Sequence, residues 1–114
     1  LTLAGNGTHQ ELARYDAEVL CADLSRKEMH PVINTIRART LDQAGGLSSH
    51  PGEEFLYVLE GEVIVHSELY APTQLKPGDS LYFDGAQGHA YACGSDNPAR
   101  ILVLVARSQQ IDSP

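Results

Sequence analysis

The chain has 114 residues, 42% hydrophobic and 20% charged, with a formal net charge of −7 at pH 7. That length suits one domain with a single hydrophobic core. Eight basic residues, scattered rather than clustered, argue against direct nucleic-acid binding by this segment, and no apolar run approaches the roughly 20 residues of a membrane-spanning helix.

Residue 1 is Leu and the only methionine is Met29, so we expect a processed chain or a segment of a longer one. No basic region precedes an apolar stretch, so no signal peptide is read. Residues 1–13 read as an N-terminal arm or linker, rich in Gly, Asn and Thr. Thr8 and Glu11 have the spacing of a capping box and could open a short helix. Alternation at Tyr15, Ala17, Val19 and Cys21 favours instead a strand over about 14–22. Residues 25–31 are polar and read as a loop. Val32, Ile33, Thr35, Ile36 and Thr40 are β-branched, which suits a second strand, and Gly45-Gly46 ends it.

Leu47–His50 reads as a short strand, and Phe55–Glu60 as a strand covered on both faces. Glu60-Gly61 reads as a hairpin turn into Glu62–His66. Tyr70–Thr73 contains Pro72 and reads as a bend or edge. Pro77-Gly78 has the composition of a type II turn, and Asp79 is expected to bond turn amides. Further strands are read at residues 80–83, 89–93 and 100–105, with a frayed tail over 108–114. Many short strands with regular turns and little room for helices predict an all-β sandwich or barrel over 14–107. Cys21 and Cys93 are too few for a disulfide framework and read as reduced thiols of a cytoplasmic protein.

The stretch His50-Pro-Gly-Glu-Glu54 poses a geometric problem. In a straight strand His50 and Glu54 share a face but stand roughly 13 Å apart, too far for one metal ion. Pro51-Gly52 permits a sharp bend that would aim both side chains at one point. His89, after a Gly-rich turn, could supply a second imidazole. Two His and one carboxylate form the facial-triad type of site, with open coordination positions. The alternative is a metal-free polar cluster in which Glu54 accepts hydrogen bonds from imidazoles.

These residues resemble the motifs of the cupin superfamily. The first cupin motif runs His-x-His, a short gap, Glu, six residues, Gly; here Ser48, His50, Glu54 and Gly61 occupy those positions. The second runs Gly, five residues, Pro-x-Gly, two residues, His, three residues, Asn; here Gly78, Asp84, Ala86, His89 and Cys93 stand there. Ser48, Asp84, Ala86 and Cys93 depart from the pattern, so a four-ligand set is not available. The resemblance implies a jelly-roll cupin barrel of antiparallel strands, with His50, Glu54 and His89 as metal ligands. The wording is most similar to the C-terminal cupin domain of Xre-type helix-turn-helix regulators, and is also similar to hydroxypropylphosphonate epoxidases.

What this implies is a small-molecule-sensing domain whose DNA-binding domain lies outside this chain. The alternative is a mononuclear non-haem oxygenase or epoxidase. The cofactor would be a divalent metal (Fe, Zn, Ni or Mn) or none. Ser48, Tyr91, Cys93, Arg37 and Arg39 are candidate pocket residues, the arginines as anchors for a carboxylate or phosphonate. Glu53 points opposite to Glu54 and reads as solvated. His66 reads as exposed or packed, and His9 and His30 as solvated loop residues. Partners expected are a small molecule and a second copy of the chain in a homodimer, with DNA only through the other domain and no membrane.

Overall fold

The computed structural model describes residues 1–12 and 14–106. Nine strands account for its regular structure: β1 (Thr8–Glu11), β2 (Asp16–Val19), β3 (Met29–Ile36), β4 (Glu53–Glu60), β5 (Val63–Ser67), β6 (Thr73–Leu75), β7 (Ser80–Asp84), β8 (His89–Cys93) and β9 (Ala99–Ala106). They form a six-stranded sheet in the order β1-β2-β3-β9-β4-β7 and a three-stranded sheet in the order β6-β5-β8, with all pairings antiparallel. The all-β expectation holds, and the arrangement is that of a jelly roll. Among the described residues no helix is long and apolar enough to cross a membrane.

Period-two alternation sets the core. Leu56 and Val58 of β4, Ile101 and Val103 of β9 and Ile36 of β3 point inward from the large sheet. Val63, Val65, Leu75, Tyr91 and Cys93 meet them from the small one. Full burial of one such aliphatic side chain stabilises the fold by about 1.5–3 kcal/mol. β9 and β4 are central strands with neighbours on both sides, which suits their Val, Leu and Ile content.

Several local expectations are corrected. Thr8 and Glu11 do not open a helix; they bound β1, paired to β2 with Thr8 opposite Val19. β3 starts at Met29, inside the segment read as loop, and β2 is shorter than the strand expected there. His9 and His30 lie in strands, not loops. Only one face of β4 is covered: Tyr57 remains 40% exposed on the outer face.

The Glu60-Gly61 turn makes no hairpin. β4 pairs with β7 and β9, whereas β5 pairs with β6 and β8, so the turn carries the chain between sheets. Gly61 has φ 72°, and a Cβ there would stand 3.0 Å from the Ala99 Cα, which explains the glycine better than a hairpin does. Leu47–His50 contributes only a bridge, Ser48 to His89. The Pro77-Gly78 turn is as read: Gly78 has φ 92°, and Asp79 Oδ2 accepts from the Lys76 amide at 2.8 Å. The tail over 108–114 lies outside the described residues.

Candidate functional site

The bend at Pro51-Gly52 is real, with Gly52 at φ 93°. It is held by the backbone of the turn before β8. His50 N donates to Gly85 O at 2.9 Å, and Gly85 N donates to Gly52 O at 2.8 Å. Ser48 and His89 exchange both backbone hydrogen bonds, at 3.0 and 2.9 Å. These four bonds zip the corner to the turn and set His50 beside His89, their ring centroids 5.1 Å apart and nearly perpendicular. Asp84, in the place of the motif's proline, accepts from the Ala86 amide at 2.9 Å and shapes the same turn. A Cβ on Gly85 would collide with the His50 ring, so the turn needs glycine for the imidazole to lie where it does.

Glu54 enters from β4. Its Oε1 lies 2.7 Å from His50 Nε2 and 3.4 Å from His89 Nε2. Its Oε2 accepts a hydrogen bond from the Tyr91 hydroxyl. Donor atoms of His50, Glu54 and His89 all lie within 4.8 Å of one another, and Glu54 and His89 are only 4% and 6% exposed. The remaining imidazole nitrogens face backbone carbonyls: His50 Nδ1 meets Pro51 O at 3.0 Å, and His89 Nδ1 meets Gln87 O at 2.7 Å. These carbonyl partners suit the tautomer with Nδ1 as donor, and each Nε2 is the nitrogen turned to Glu54. A bare Nε2 turned to the same carboxylate oxygen is the position from which an imidazole ligates a metal ion. Carbonyl-oriented imidazoles converging on one carboxylate oxygen are a donor set that fits a divalent metal.

The electrostatics agree. Burial alone would push Glu54 up, but hydrogen bonds from His89 and Tyr91, the His89 charge and the His50 contact outweigh it, and its carboxyl sits below the ordinary range. Burial alone would lower His89, yet Glu54 and the Gln87 carbonyl raise it overall. Burial first, then the Glu54 charge, lifts Tyr91 well above the ordinary phenol value and raises Tyr15. Both tyrosines therefore remain neutral phenols at physiological pH.

The triad opens onto a cavity of about 210 Å³ between the sheets. Ser48 and Tyr91 line it, as the sequence suggested. Cys93, Arg37 and Arg39 do not. Cys93 shares an inward face with His89 but lies four residues further along β8, in the hydrophobic core, its thiol directed at Ser95 O and Asn97 O. Arg37 is exposed and paired with Asp16; Arg39 is exposed and donates to Ser95 O and Asp96 O. Both strand parity and the end of β3 at Ile36 turn these guanidinium groups outward. Glu53 is exposed and accepts from Tyr82, and His66 is half-buried away from the cavity.

Arg14, Tyr15 and Asn34 are among the wall residues that the sequence reading did not single out. Arg14 donates to Ala44 O at 2.8 Å, Gly46 O at 2.6 Å and Gly45 O at 3.1 Å, pinning the Gly45-Gly46 loop over the cavity. Nothing local in the sequence marks it. Tyr15 faces the cavity from the entry to β2. Asn34 was legible: Val32, Asn34 and Ile36 share a strand face, so a polar residue occupies an apolar parity.

A profile of the family described as Cupin domain matches residues 41–105. No curated protein matches in sequence. Among solved structures, an RmlC-like cupin from Shewanella frigidimarina NCIMB 400 is similar at TM-score 0.73 and 14% identity, covering 96% of this chain and 92% of that one. Hydroxypropylphosphonic acid epoxidase from S. wedmorenis is similar at TM-score 0.71 and 19% identity, over 92% of this chain and 58% of that one. The DMSP lyase DddQ from Ruegeria pomeroyi DSS-3 gives 0.69 and 19%, over 93% and 59%. The chain thus spans little more than half the length of the epoxidase and the lyase.

Proposed function

The chain belongs to the cupin domain family, and from that premise we propose that it is a small-molecule-sensing domain serving an attached helix-turn-helix DNA-binding domain. Its ligand docks against a divalent metal held by His50, Glu54 and His89. The observation that carries this reading is who builds the cavity wall. Leu12, Arg14, Tyr15, Ala17 and Val19, from β2 and the segment leading into it, face the same space as the triad. A ligand in that space presses on the N-terminal strands, so occupancy shifts an equilibrium in whatever precedes them. The acidic charge of the chain leaves DNA contact to the other domain.

The intact gene product tests this. A helix-turn-helix segment is expected upstream of Leu1, and loading the cupin domain with Zn²⁺ or Fe²⁺ should change DNA affinity at least about 5-fold. A coding sequence without a DNA-binding segment removes the regulator reading. A homodimer goes with it: Phe55, Tyr57 and Tyr82 share the outer face of the large sheet, and Tyr82 is 63% exposed. Sedimentation velocity giving a monomer at micromolar concentration would contradict that part.

A second reading, a mononuclear metal oxygenase or epoxidase, is favoured by one feature. Tyr91 occupies Glu54 Oε2, so the triad offers three single donor atoms and a bound ion would keep positions open. When bound, the metal would supply Lewis-acid or redox chemistry. The protein would hold the ligand between apolar walls and exclude water. Hydroxypropylphosphonic acid epoxidase in its Fe(II) form is similar to this chain at TM-score 0.72 and 19% identity. Anaerobic iron loading is the check: uptake by His50→Ala and His89→Ala equal to that of the parent chain would remove the site and this reading with it.

A further inference from the structure

Asn34 lies on the inward face of β3, is only 3% exposed, and lines the same cavity as the triad. Its side-chain Oδ1 is buried with no hydrogen-bond partner, alone in this among the buried side-chain polar atoms of the described residues. Leaving such an acceptor unpaired costs stability, and a hydrophobic residue would serve a mere core position better. Its strand neighbours across the sheet, Ala17 and Ile101, offer no side-chain donor.

We propose that Asn34 is a ligand-recognising residue, and that the cavity takes a short linear carboxylate bearing a hydroxyl or amine at its far end. This rests on the metal reading of the triad. Along β9, Asn34 pairs with Ile101 and Glu54 with Val105. Four residues along the strand, about 13 Å, and two strand spacings across β9, about 10 Å, separate the two backbone positions, from which both side chains lean into the cavity. One molecule touching both is therefore elongated. The wall between them is apolar, formed by Val19, Val32 and Val103, which calls for an aliphatic middle. At the metal end, a divalent ion together with the Arg14 guanidinium favours an anionic oxygen. At the Asn34 end, the unpaired Oδ1 lies just beneath the cavity wall, and a turn of the amide about χ2 brings it to a ligand that donates an O–H or N–H. The cavity volume of about 210 Å³ suits a metabolite smaller than the drug-sized ligands of larger pockets.

The test uses Co²⁺-loaded protein and three probes: pentanoate, 5-hydroxypentanoate and 5-aminopentanoate, titrated by calorimetry. At least one donor-bearing probe should bind on the order of 5- to 30-fold tighter than pentanoate. Asn34→Leu should lose or invert that preference while keeping Co²⁺ uptake. Asn34→Ala, which needs no extra space, must lose the same preference. After EDTA treatment and without ligand, Asn34→Leu should melt about 4–8 °C higher than the parent chain, because the unpaired acceptor is gone. Equal binding of all three probes, binding of none to the metal-loaded protein, or a lower melting temperature for Asn34→Leu would overturn the assignment. Failure of the parent chain to take up Co²⁺ would overturn the metal reading instead, and the melting comparison reads out independently of it.

Discussion

Tyr91 donates its hydroxyl hydrogen bond to Oε2 of Glu54, leaving Oε1 alone to face the two imidazoles. The carboxylate is thereby held in one orientation and its charged form is favoured. Tyr91 comes from β8 in the small sheet and Glu54 from β4 in the large one, so the contact crosses the core.

Tyr91→Phe should therefore weaken metal uptake without abolishing it. Loss of an orienting partner of a ligating group costs about 10-fold or more in metal affinity. A Co²⁺ titration followed by absorbance checks this; unchanged affinity would mean that Glu54 needs no such support.

The pH dependence has two limbs. Glu54 titrates below the ordinary range, so its contribution to stability is present above the unfolded value and is lost as pH falls through its folded value. His89 titrates above the ordinary 6.5, so its contribution is complete below that value and is lost as pH rises through the folded one. EDTA-treated protein should thus melt highest in mildly acidic solution. Metal competes with the His89 proton, so added Zn²⁺ should move the maximum to higher pH. Melting curves from pH 4 to pH 9, with and without Zn²⁺, give the comparison.

Gly85→Ala places a methyl against the His50 ring and 2.8 Å from the Gly52 carbonyl. Overpacking of this kind costs about 1–3 kcal/mol. The corner must open, so His50 leaves the triad and metal affinity should fall at least about 10-fold. Urea unfolding and metal titration of the same variant measure both effects. Loss of stability with full metal affinity would show that the corner tolerates the shift.

Arg14→Ala removes the donor for three carbonyls of the Gly45-Gly46 loop. Hydrogen bonds to a charged donor contribute about 1.5–3 kcal/mol each when well formed, less where exposed. The loop should loosen while the sheets persist. Hydrogen exchange at Ala44, Gly45 and Gly46 should quicken at least about 10-fold, with β4 and β9 amides unchanged. Uniform acceleration throughout would indicate that Arg14 supports the whole fold.

The parts of this protein that local rules govern were readable in one dimension. Alternating β-branched runs, Pro-Gly and Gly-Gly breaks and the scarcity of helical periods predicted an all-β chain, and the spacing of His50, Glu54 and His89 marked a triad. Strand pairing was not readable. Glu60-Gly61 looks like a hairpin because two strands flank a tight turn, yet the partners of β4 are β7 and β9, distant in sequence. Arg37 and Arg39 looked like pocket residues because they share one face of the strand, but Asn34 and Ile36 hold the inward face, so that shared face is the outer one.

Composition and periodicity decided the secondary-structure class, the inward-facing residues and the chemical character of the site, because each depends on neighbours within a few residues. Only the folded chain decided that the corner and the turn before β8 are zipped together, that Tyr91 claims one oxygen of Glu54, and that Arg14 and Asn34 share a cavity with the triad. Those relations depend on which strands lie side by side across two sheets, and long-range antiparallel pairing leaves no local trace in the order of residues.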